Sequence, residues 1–186
     1  METKYHNIHQ DVVDRCKQGD RPAQNEFYKL YSKAMYNIAY RITNNELDAE
    51  DVLQESFVNA FKNINSYRGT ASIGAWLKRI VINNSLTAVK KRKAALVPIE
   101  DYGEYADLPD SDDDEVLYLN VDRIRNAVQR LPDGYRVVFS LYLMEGYDHK
   151  EIASILKISE STSKSQYNRS KKKLKQILRE EVFYDE

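Results

Sequence analysis

Cationic and hydrogen-bonding side chains dominate the last segment of the chain. Residues 161–179 include seven Lys or Arg and no acidic residue. Hydroxyl, amide and carboxylate groups can hydrogen-bond to base edges, while Lys and Arg neutralise phosphates. The pattern favours a helix that binds duplex DNA, and the alternative is an ordinary solvated helix. The outer face of this helix carries Glu160, Ser161, Lys164, Ser165, Asn168, Arg169, Lys171 and Lys172.

A second basic segment lies in the first half of the chain. Residues 56–99 carry eight basic side chains and no acidic one. Tyr67 and Trp76 belong to this segment, which contains a basic cluster at residues 90–93. Single-stranded DNA binding requires rings that stack on unpaired bases and cations that neutralise the backbone. The sequence leaves open the alternative that both rings belong to the core.

A third candidate surface is polar and mostly acidic. Asp51, Gln54, Glu55 and Val58 share one face of a helix predicted over residues 48–63, opposite an apolar stripe. Spacing alone favours a solvated helix face here. The charge is also segregated along the chain, because residues 100–122 contain ten acidic residues and no basic one. Such blocks indicate two separate surfaces for a polyanion, joined by an acidic connection.

Side chains suited to catalysis or metal binding are not grouped in the sequence. His6, His9 and His149 are far apart, Cys16 is the single cysteine, and no Gly-rich phosphate loop is present. The acidic run is too long and irregular for a poised acid–base pair. We expect neither enzyme activity nor a cofactor or metal site.

Length and composition predict an all-α protein of one or two small domains. The chain has 186 residues, of which 42% are hydrophobic and 31% charged, with only six Gly and four Pro. The polar N-terminal residues do not resemble a signal peptide, and no stretch approaches the ~20 apolar residues of a membrane span. A single cysteine fits a reducing compartment. We therefore expect a cytoplasmic protein without membrane insertion.

Apolar spacing predicts a helical first domain over residues 1–93. A short helix is expected to end near Gly19, and Asp20 is expected to cap the long helix that follows. Further helices are predicted over residues 48–63 and from Ser72, as a cap, to residue 93. The apolar stripe of the long helix comprises Ala23, Phe27, Leu30, Tyr31, Ala34, Met35, Ile38, Ala39 and Ile42.

A connection without helical period follows the first domain. Residues 94–116 hold Pro98 and Pro109 and most of the acidic block. Their composition predicts a flexible acidic linker.

The second domain, residues 117–186, has the pattern of a helix-turn-helix. A helix with Leu117 among its apolar residues is stopped by Pro132, and the next ends at Gly146. Asp148 then opens a short helix with a capping-box spacing. After a turn, Ser159 begins the final helix. In a helix-turn-helix this second helix enters the major groove.

Three sequence motifs follow one another along the chain. Residues 48–61 read DAEDVLQESFVNAF, and residues 67–84 contain YRG and AWLKRIVINN. Residues 131–165 contain LP, EIA and SESTSKS. In this order the motifs resemble the extracytoplasmic-function group of the sigma-70 family, and the resemblance extends from about residue 11 to residue 178. It implies two small helical domains, sigma domain 2 and a helix-turn-helix sigma domain 4, joined by the linker.

The resemblance also implies partners and roles. The chain is expected to start transcription as a sigma factor bound to core RNA polymerase, and an anti-sigma factor is an expected partner. The acidic face is expected to bind the clamp helices of the largest polymerase subunit. Its implied polymerase-binding residues are Asp48, Asp51, Gln54, Glu55 and Val58.

Promoter DNA is the other implied partner, both as duplex and as melted non-template strand. A base flipped into a pocket of the loop at residues 65–71 would make melting and recognition of the minus-ten element a single event. The implied minus-ten residues are Tyr67, Arg68, Ser72, Trp76, Lys78, Arg79, Asn83, Asn84, Lys90, Lys91, Arg92 and Lys93. The implied minus-thirty-five residues are those of the outer face given above, together with Thr162.

The helix-turn-helix departs from the family pattern at a few positions. Family members usually have Gly at the position of Glu160 and Val near Ser163, so Ser163 implies looser packing or the use of Tyr167 instead. The promoter sequence therefore does not carry over from relatives. Two alternatives remain: a stand-alone helix-turn-helix regulator and a protein-sequestering module. The basic blocks argue against the second.

Overall fold

The computed structural model describes residues 8–95 and 121–184, with the backbone alone for residues 93–95 and 181–184. The described residues form helices joined by turns, without strands, which confirms the all-α prediction. The chain divides into two compact units, Met1–Val97 and Pro98–Glu186. Most of the predicted linker, from residue 96 to residue 116, lies outside the described residues, as does Leu117.

Within residues 8–95, the first unit consists of three long helices and a short one. They are α1 (Gln10–Lys17), α2 (Arg21–Thr43), α3 (Glu46–Asn63) and α4 (Ile73–Ala95), with a 3-10 turn (Ile64–Ser66) after α3. The α2 helix packs against α1, α3 and α4, and α3 packs against α4. All four helices were predicted from the apolar spacing, and their existence is confirmed.

Phe27 lies where these helices meet and is 0% exposed. Its ring centroid is 4.8 Å from that of Tyr31, and 6.1 and 5.8 Å from those of Phe57 and Phe61 on α3. Aromatic pairs at such separations add to the free energy that apolar burial contributes. The packing of α2 therefore depends strongly on this ring.

The predicted apolar stripe of α2 is wrong at two positions. Leu30 is 44% exposed, and Ala34 is exposed as well. The buried face shifts around α2 along its length, from Ala23 and Phe27 at one end to Thr43 at the other. Helical spacing alone does not reveal this shift, because it depends on where the partner helices cross.

Two asparagines fix the boundary between α2 and α3. Asn44 adopts the left-handed conformation, with φ +52°, and ends α2. The side chain of Asn45 accepts a hydrogen bond from the Asp48 N–H at 2.9 Å, so α3 begins earlier than predicted. Asp20 occupies the N-cap position of α2, as predicted, but the expected capping hydrogen bond to its side chain is not formed. Its carboxylate instead accepts a charge-assisted bond from Arg15 Nε at 2.9 Å.

Arg92 joins the end of α4 to the other two long helices. Its Nη1 donates to the Asp48 carboxylate at 2.7 Å, and its Nη2 donates to the Thr43 carbonyl at 3.0 Å. Thr43 is the last residue of α2 and Asp48 lies in the first turn of α3. The ion pair is only about one-third exposed, because the Arg92 and Asp48 side chains are 30% and 31% accessible. The guanidinium therefore ties three helices together.

The second unit begins, within the described residues, with α5 (Val121–Gln129) and α6 (Asp133–Phe139). A wider π-helical turn (Ser140–Met144) continues α6. The predicted stop at Pro132 is confirmed, as is the end at Gly146, whose φ of +77° favours glycine. The π-turn was not predicted from the sequence.

Two short-range caps build the helix-turn-helix, which consists of α7 (His149–Leu156) and α8 (Glu160–Tyr184). The predicted capping box is confirmed, since Asp148 accepts from the Glu151 N–H at 2.7 Å and its own N–H donates to the Glu151 carboxylate at 2.9 Å. The Ser159 hydroxyl accepts from the Thr162 N–H at 3.0 Å and starts α8.

A buried arginine holds the turn between α5 and α6. Arg136 is 2% exposed, and its Nη1 donates to the Leu131 carbonyl at 2.9 Å. Its Nη2 pairs with the Asp133 carboxylate, so the buried charge is matched. The surrounding core includes Ala127, Val128, Leu131, Phe139, Ile177 and Leu178.

Replacing Arg92 with Gln removes its charge-assisted bonds, so we expect the free energy of unfolding of the first unit to fall by about 1 kcal/mol. Urea unfolding followed by the fluorescence of Trp76, the single tryptophan, measures this unit. Lys91→Gln, an exposed change beside it, is the control and should leave the midpoint unchanged. Equal shifts for both variants would contradict this role of Arg92.

Replacing Asp148 with Ala removes the cap of α7 and should cost about 1 kcal/mol locally. Amide hydrogen exchange of α7 measures this directly, and we expect exchange about fivefold faster in that helix. Asp148→Ser preserves a capping oxygen and serves as the control. Unchanged exchange in Asp148→Ala would show that tertiary packing alone holds the helix.

Candidate nucleic-acid and protein interfaces

The acidic face of α3 is exposed along its length. Asp51, Gln54 and Glu55 are exposed, and Val58 is 49% exposed. The opposite face is buried against α2 and α4, with Ala49, Val52, Leu53, Ser56, Phe57 and Ala60 inside. The 3.6-residue period of the helix therefore separates a packed face from a free acidic one. Asp48 differs from the others, because it is partly buried and bound to Arg92.

Leu47 extends the acidic face and was missed by the sequence reasoning. It is 73% exposed and lies one helical turn before Asp51. Its position four residues before Asp51 was the available signal. With Val58, it gives the acidic face an exposed apolar residue at each end, a composition suited to a protein partner with basic and apolar side chains.

Tyr67 organises the loop between the 3-10 turn and α4. The side chain is 5% exposed, and its hydroxyl donates to the Ala71 carbonyl at 2.5 Å across the loop. Gly69, at φ +75°, lies between them in a conformation that favours glycine. The Lys17 ammonium donates to the Tyr67 carbonyl at 3.3 Å and lies 5.6 Å from the ring centroid. The ring of Tyr67 thus belongs to the core, the alternative that the sequence left open.

Trp76 is partly buried and lies against this loop. Its ring centroid is 5.6 Å from that of Tyr67. Ser72 precedes it as the residue that caps α4, since the Ser72 hydroxyl accepts from the Ala75 N–H at 3.2 Å. The loop and the first turn of α4 therefore pack together. The Trp76 side chain contacts Tyr67 and is also partly accessible to solvent.

The other predicted minus-ten residues fall into two groups. Exposed ones are Arg68, Arg79, Asn83, Lys90 and Lys91, while Lys78, Asn84 and Arg92 are partly buried. Asn84 donates to the Ser56 hydroxyl at 3.0 Å, and Arg92 binds Asp48 and Thr43. The side chain of Lys93 lies outside the described residues. The cations of α4 thus lie mostly at its surface. Asn84 and Arg92 instead make hydrogen bonds to neighbouring helices.

The outer face of α8 is exposed, as the spacing predicted. All nine candidate residues are exposed: Glu160, Ser161, Thr162, Lys164, Ser165, Asn168, Arg169, Lys171 and Lys172. The inner face holds Ser163, Ser170, Ile177 and Leu178, which are buried. A helix that is polar outside and anchored by its neighbours inside can enter a groove as a rigid rod.

Glu160 is engaged at the start of α8. Lys164, one turn later, lies 2.7 Å from its carboxylate. The hydrogen bond from Lys164 lowers the pKa of Glu160 and so favours its ionised form. In the free protein, the first turn of α8 therefore presents an ion pair rather than a lone carboxylate. Further along, the ammonium of Lys171 lies 5.0 Å from the ring centroid of Tyr167.

Within residues 8–95 and 121–184, no group of three or more His, Cys, Asp and Glu side chains is arranged to hold a metal ion. Cys16 is buried. Among the helices of that same part of the chain, none combines the length and the apolar character that crossing a membrane requires.

Comparison with known proteins matches both units to one family. The sigma-70 region 2 model matches residues 27–95, and the sigma-70 region 4 model matches residues 122–174. The ECF RNA polymerase sigma-E factor of Haemophilus influenzae is 30% identical over 172 residues, which are 87% of this chain and 90% of the relative. The ECF RNA polymerase sigma factor SigW of Bacillus subtilis is 29% identical, over 90% of this chain and 95% of the relative.

Solved structures share the fold. The sigma factor RpoE of Bartonella quintana, crystallised with the anti-sigma factor NepR, has a TM-score of 0.57 at 22% identity, covering 83% of this chain and 96% of that one. CnrH, solved with the cytosolic domain of CnrY, has a TM-score of 0.55 at 22% identity, covering 91% and 96%. From its similarity to the sigma-E factor over nearly the whole length, together with the matches in both units, the chain belongs to the ECF sigma factors of the sigma-70 family.

Proposed function

We propose that this chain binds core RNA polymerase, directs it to specific promoters, melts the minus-ten element and reads the minus-thirty-five element. The proposal depends on the kinds of side chain that are exposed in the two segments that match the family. The segment matching region 2 carries an acidic face and a basic helix, and the segment matching region 4 carries a helix with nine exposed polar residues. We accordingly assign residues 1–93 to sigma domain 2, residues 94–116 to the linker and residues 117–186 to sigma domain 4.

The acidic face of α3 is our candidate polymerase-binding surface. Asp51, Gln54, Glu55 and Val58 are exposed together, and their carboxylates suit a basic partner surface. Leu47 belongs to the same contact in this proposal. Asp48 contributes indirectly, since Arg92 binds its carboxylate and fixes the first turn of α3.

The loop after α3 and the outer side of α4 are our candidate minus-ten surface. Trp76 offers part of its ring to an unstacked base, while Tyr67 holds the loop from beneath. Arg68, Arg79 and the exposed lysines of α4 neutralise the backbone. Binding the flipped base then offsets the few kcal/mol that unstacking costs.

The exposed face of α8 is our candidate minus-thirty-five surface. Ser161, Thr162 and Ser165 lie near the N-terminal end of the helix, where hydroxyls can reach base edges. Lys171 and Lys172 lie about two turns further along, at positions suited to phosphates. The protein supplies binding and no bond-making chemistry, so the initiation factor is not itself an enzyme.

We also propose that the protein binds an anti-sigma factor. It acts in the cytoplasm, where RNA polymerase is located. The two solved structures are complexes, of RpoE with the anti-sigma factor NepR and of CnrH with the cytosolic domain of CnrY. The exposed acidic face of α3 is the surface that such a partner could occupy in competition with polymerase.

Run-off transcription from a library of genomic fragments tests the proposal. We expect purified core polymerase to give defined new transcripts when this protein is added. A set of transcripts identical with and without the protein would contradict the proposed function.

The acidic face can be tested on any promoter so obtained. We expect Asp51→Ala and Glu55→Ala together to lower promoter-specific transcript by about tenfold, because exposed charge pairs contribute roughly 0.5–1 kcal/mol each. Asp14→Asn, an exposed carboxylate on α1, is the matched control and should retain activity. The yield is measured at limiting sigma concentration, and full activity of the double variant would exclude this face.

A further inference from the structure

A histidine and a serine are bonded to each other across the helix-turn-helix. His149, the first residue of α7, places its Nδ1 3.0 Å from the hydroxyl oxygen of Ser163 on α8. Ser163 is 0% exposed and His149 is partly buried. A buried hydroxyl without a partner costs about 1–3 kcal/mol, so this contact stabilises one rotational setting of α8.

Two tyrosines surround the same histidine. The His149 ring stacks on Tyr142 at 4.4 Å between centroids, with the planes within 12° of parallel. The ring of Tyr167, from α8, lies 4.4 Å from Tyr142 and 5.7 Å from His149. The π-helical turn, α7 and α8 each contribute one ring to this group. We call the four residues Tyr142, His149, Ser163 and Tyr167 the polar clip.

The polar clip lies directly behind the exposed face of α8. Ser163 is flanked in sequence by Thr162 and Lys164, both of which are exposed candidate DNA contacts. Apolar packing is non-directional, whereas a hydrogen bond weakens steeply once its angle is lost. The clip therefore constrains the rotation of α8 about its axis more narrowly than apolar contacts would, and base-edge hydrogen bonds require that rotation to be correct.

We propose that the polar clip is a positioning device for promoter reading, and that His149 is a specificity-determining residue that acts through Ser163 without touching DNA. This proposal rests on the proposed function. The stacking of Tyr142 holds the imidazole in plane, the imidazole holds Ser163, and Ser163 fixes the direction in which the neighbouring outer residues point.

The test is a ratio of transcript yields. Run-off transcription with core polymerase is measured on a promoter that the wild-type protein recognises, and on the same promoter with a scrambled minus-thirty-five element. Loss of folded protein lowers both yields together and leaves their ratio unchanged. Loss of positioning lowers the ratio itself.

Five variants separate the hydrogen bond from the ring. Ser163→Ala and His149→Phe each lose the bond, and we expect each to lower the ratio about fivefold, the equivalent of one hydrogen bond. The double variant should lower it no further, because both changes remove the same interaction. His149→Asn offers a polar atom near the Nδ1 position and should recover part of the ratio. Ser154→Ala, an exposed serine of α7, is the matched control.

The outcomes are distinct. Wild-type protein that gives no promoter-specific transcript would overturn the proposed function, and the positioning role with it. Active variants with the wild-type ratio would overturn the positioning role alone. Additive losses in the double variant would also overturn it, since the two residues would then act independently.

Discussion

Burial of the apolar faces of α2, α3 and α4 is the constraint that determines which residues the first unit exposes. The ring of Phe27 on α2 packs against three other rings, one on α2 and two on α3. The helical period then determines which side chains of each helix face solvent. The side of α3 that packs is lined with Ala, Val, Leu and Phe, so its acidic residues must face solvent. The interaction surfaces are thus a geometric consequence of core packing.

The sequence allowed prediction of the helices of both units and of several caps and turns that depend on local residue types alone. The helix ends at Pro132 and Gly146, the capping box at Asp148 and the exposed face of α8 were each visible in the order of residue types. The family followed from three motifs in the correct order. The roles of the individual surface residues stay predictions, because exposure shows what a residue can reach and not what it binds.

Features that depend on contacts between distant segments were not predictable. Asp20 was expected to cap α2, but Arg15 competes successfully for its carboxylate. Arg92 belongs to a basic cluster in the sequence, yet folding brings it to Asp48 and Thr43, more than forty residues away. The His149–Ser163 bond is similar: each residue is ordinary in its own helix, and only the turn between them makes them neighbours.

In our proposal this protein reads DNA as a part of RNA polymerase. The affinity for one promoter fragment, measured by fluorescence anisotropy with the protein alone and then with core polymerase present, tests this directly. We expect weak binding by the protein alone and specific binding tighter by about 100-fold with core polymerase. Tight, sequence-specific binding by the protein alone, unchanged by core polymerase, would contradict it and indicate a stand-alone helix-turn-helix regulator.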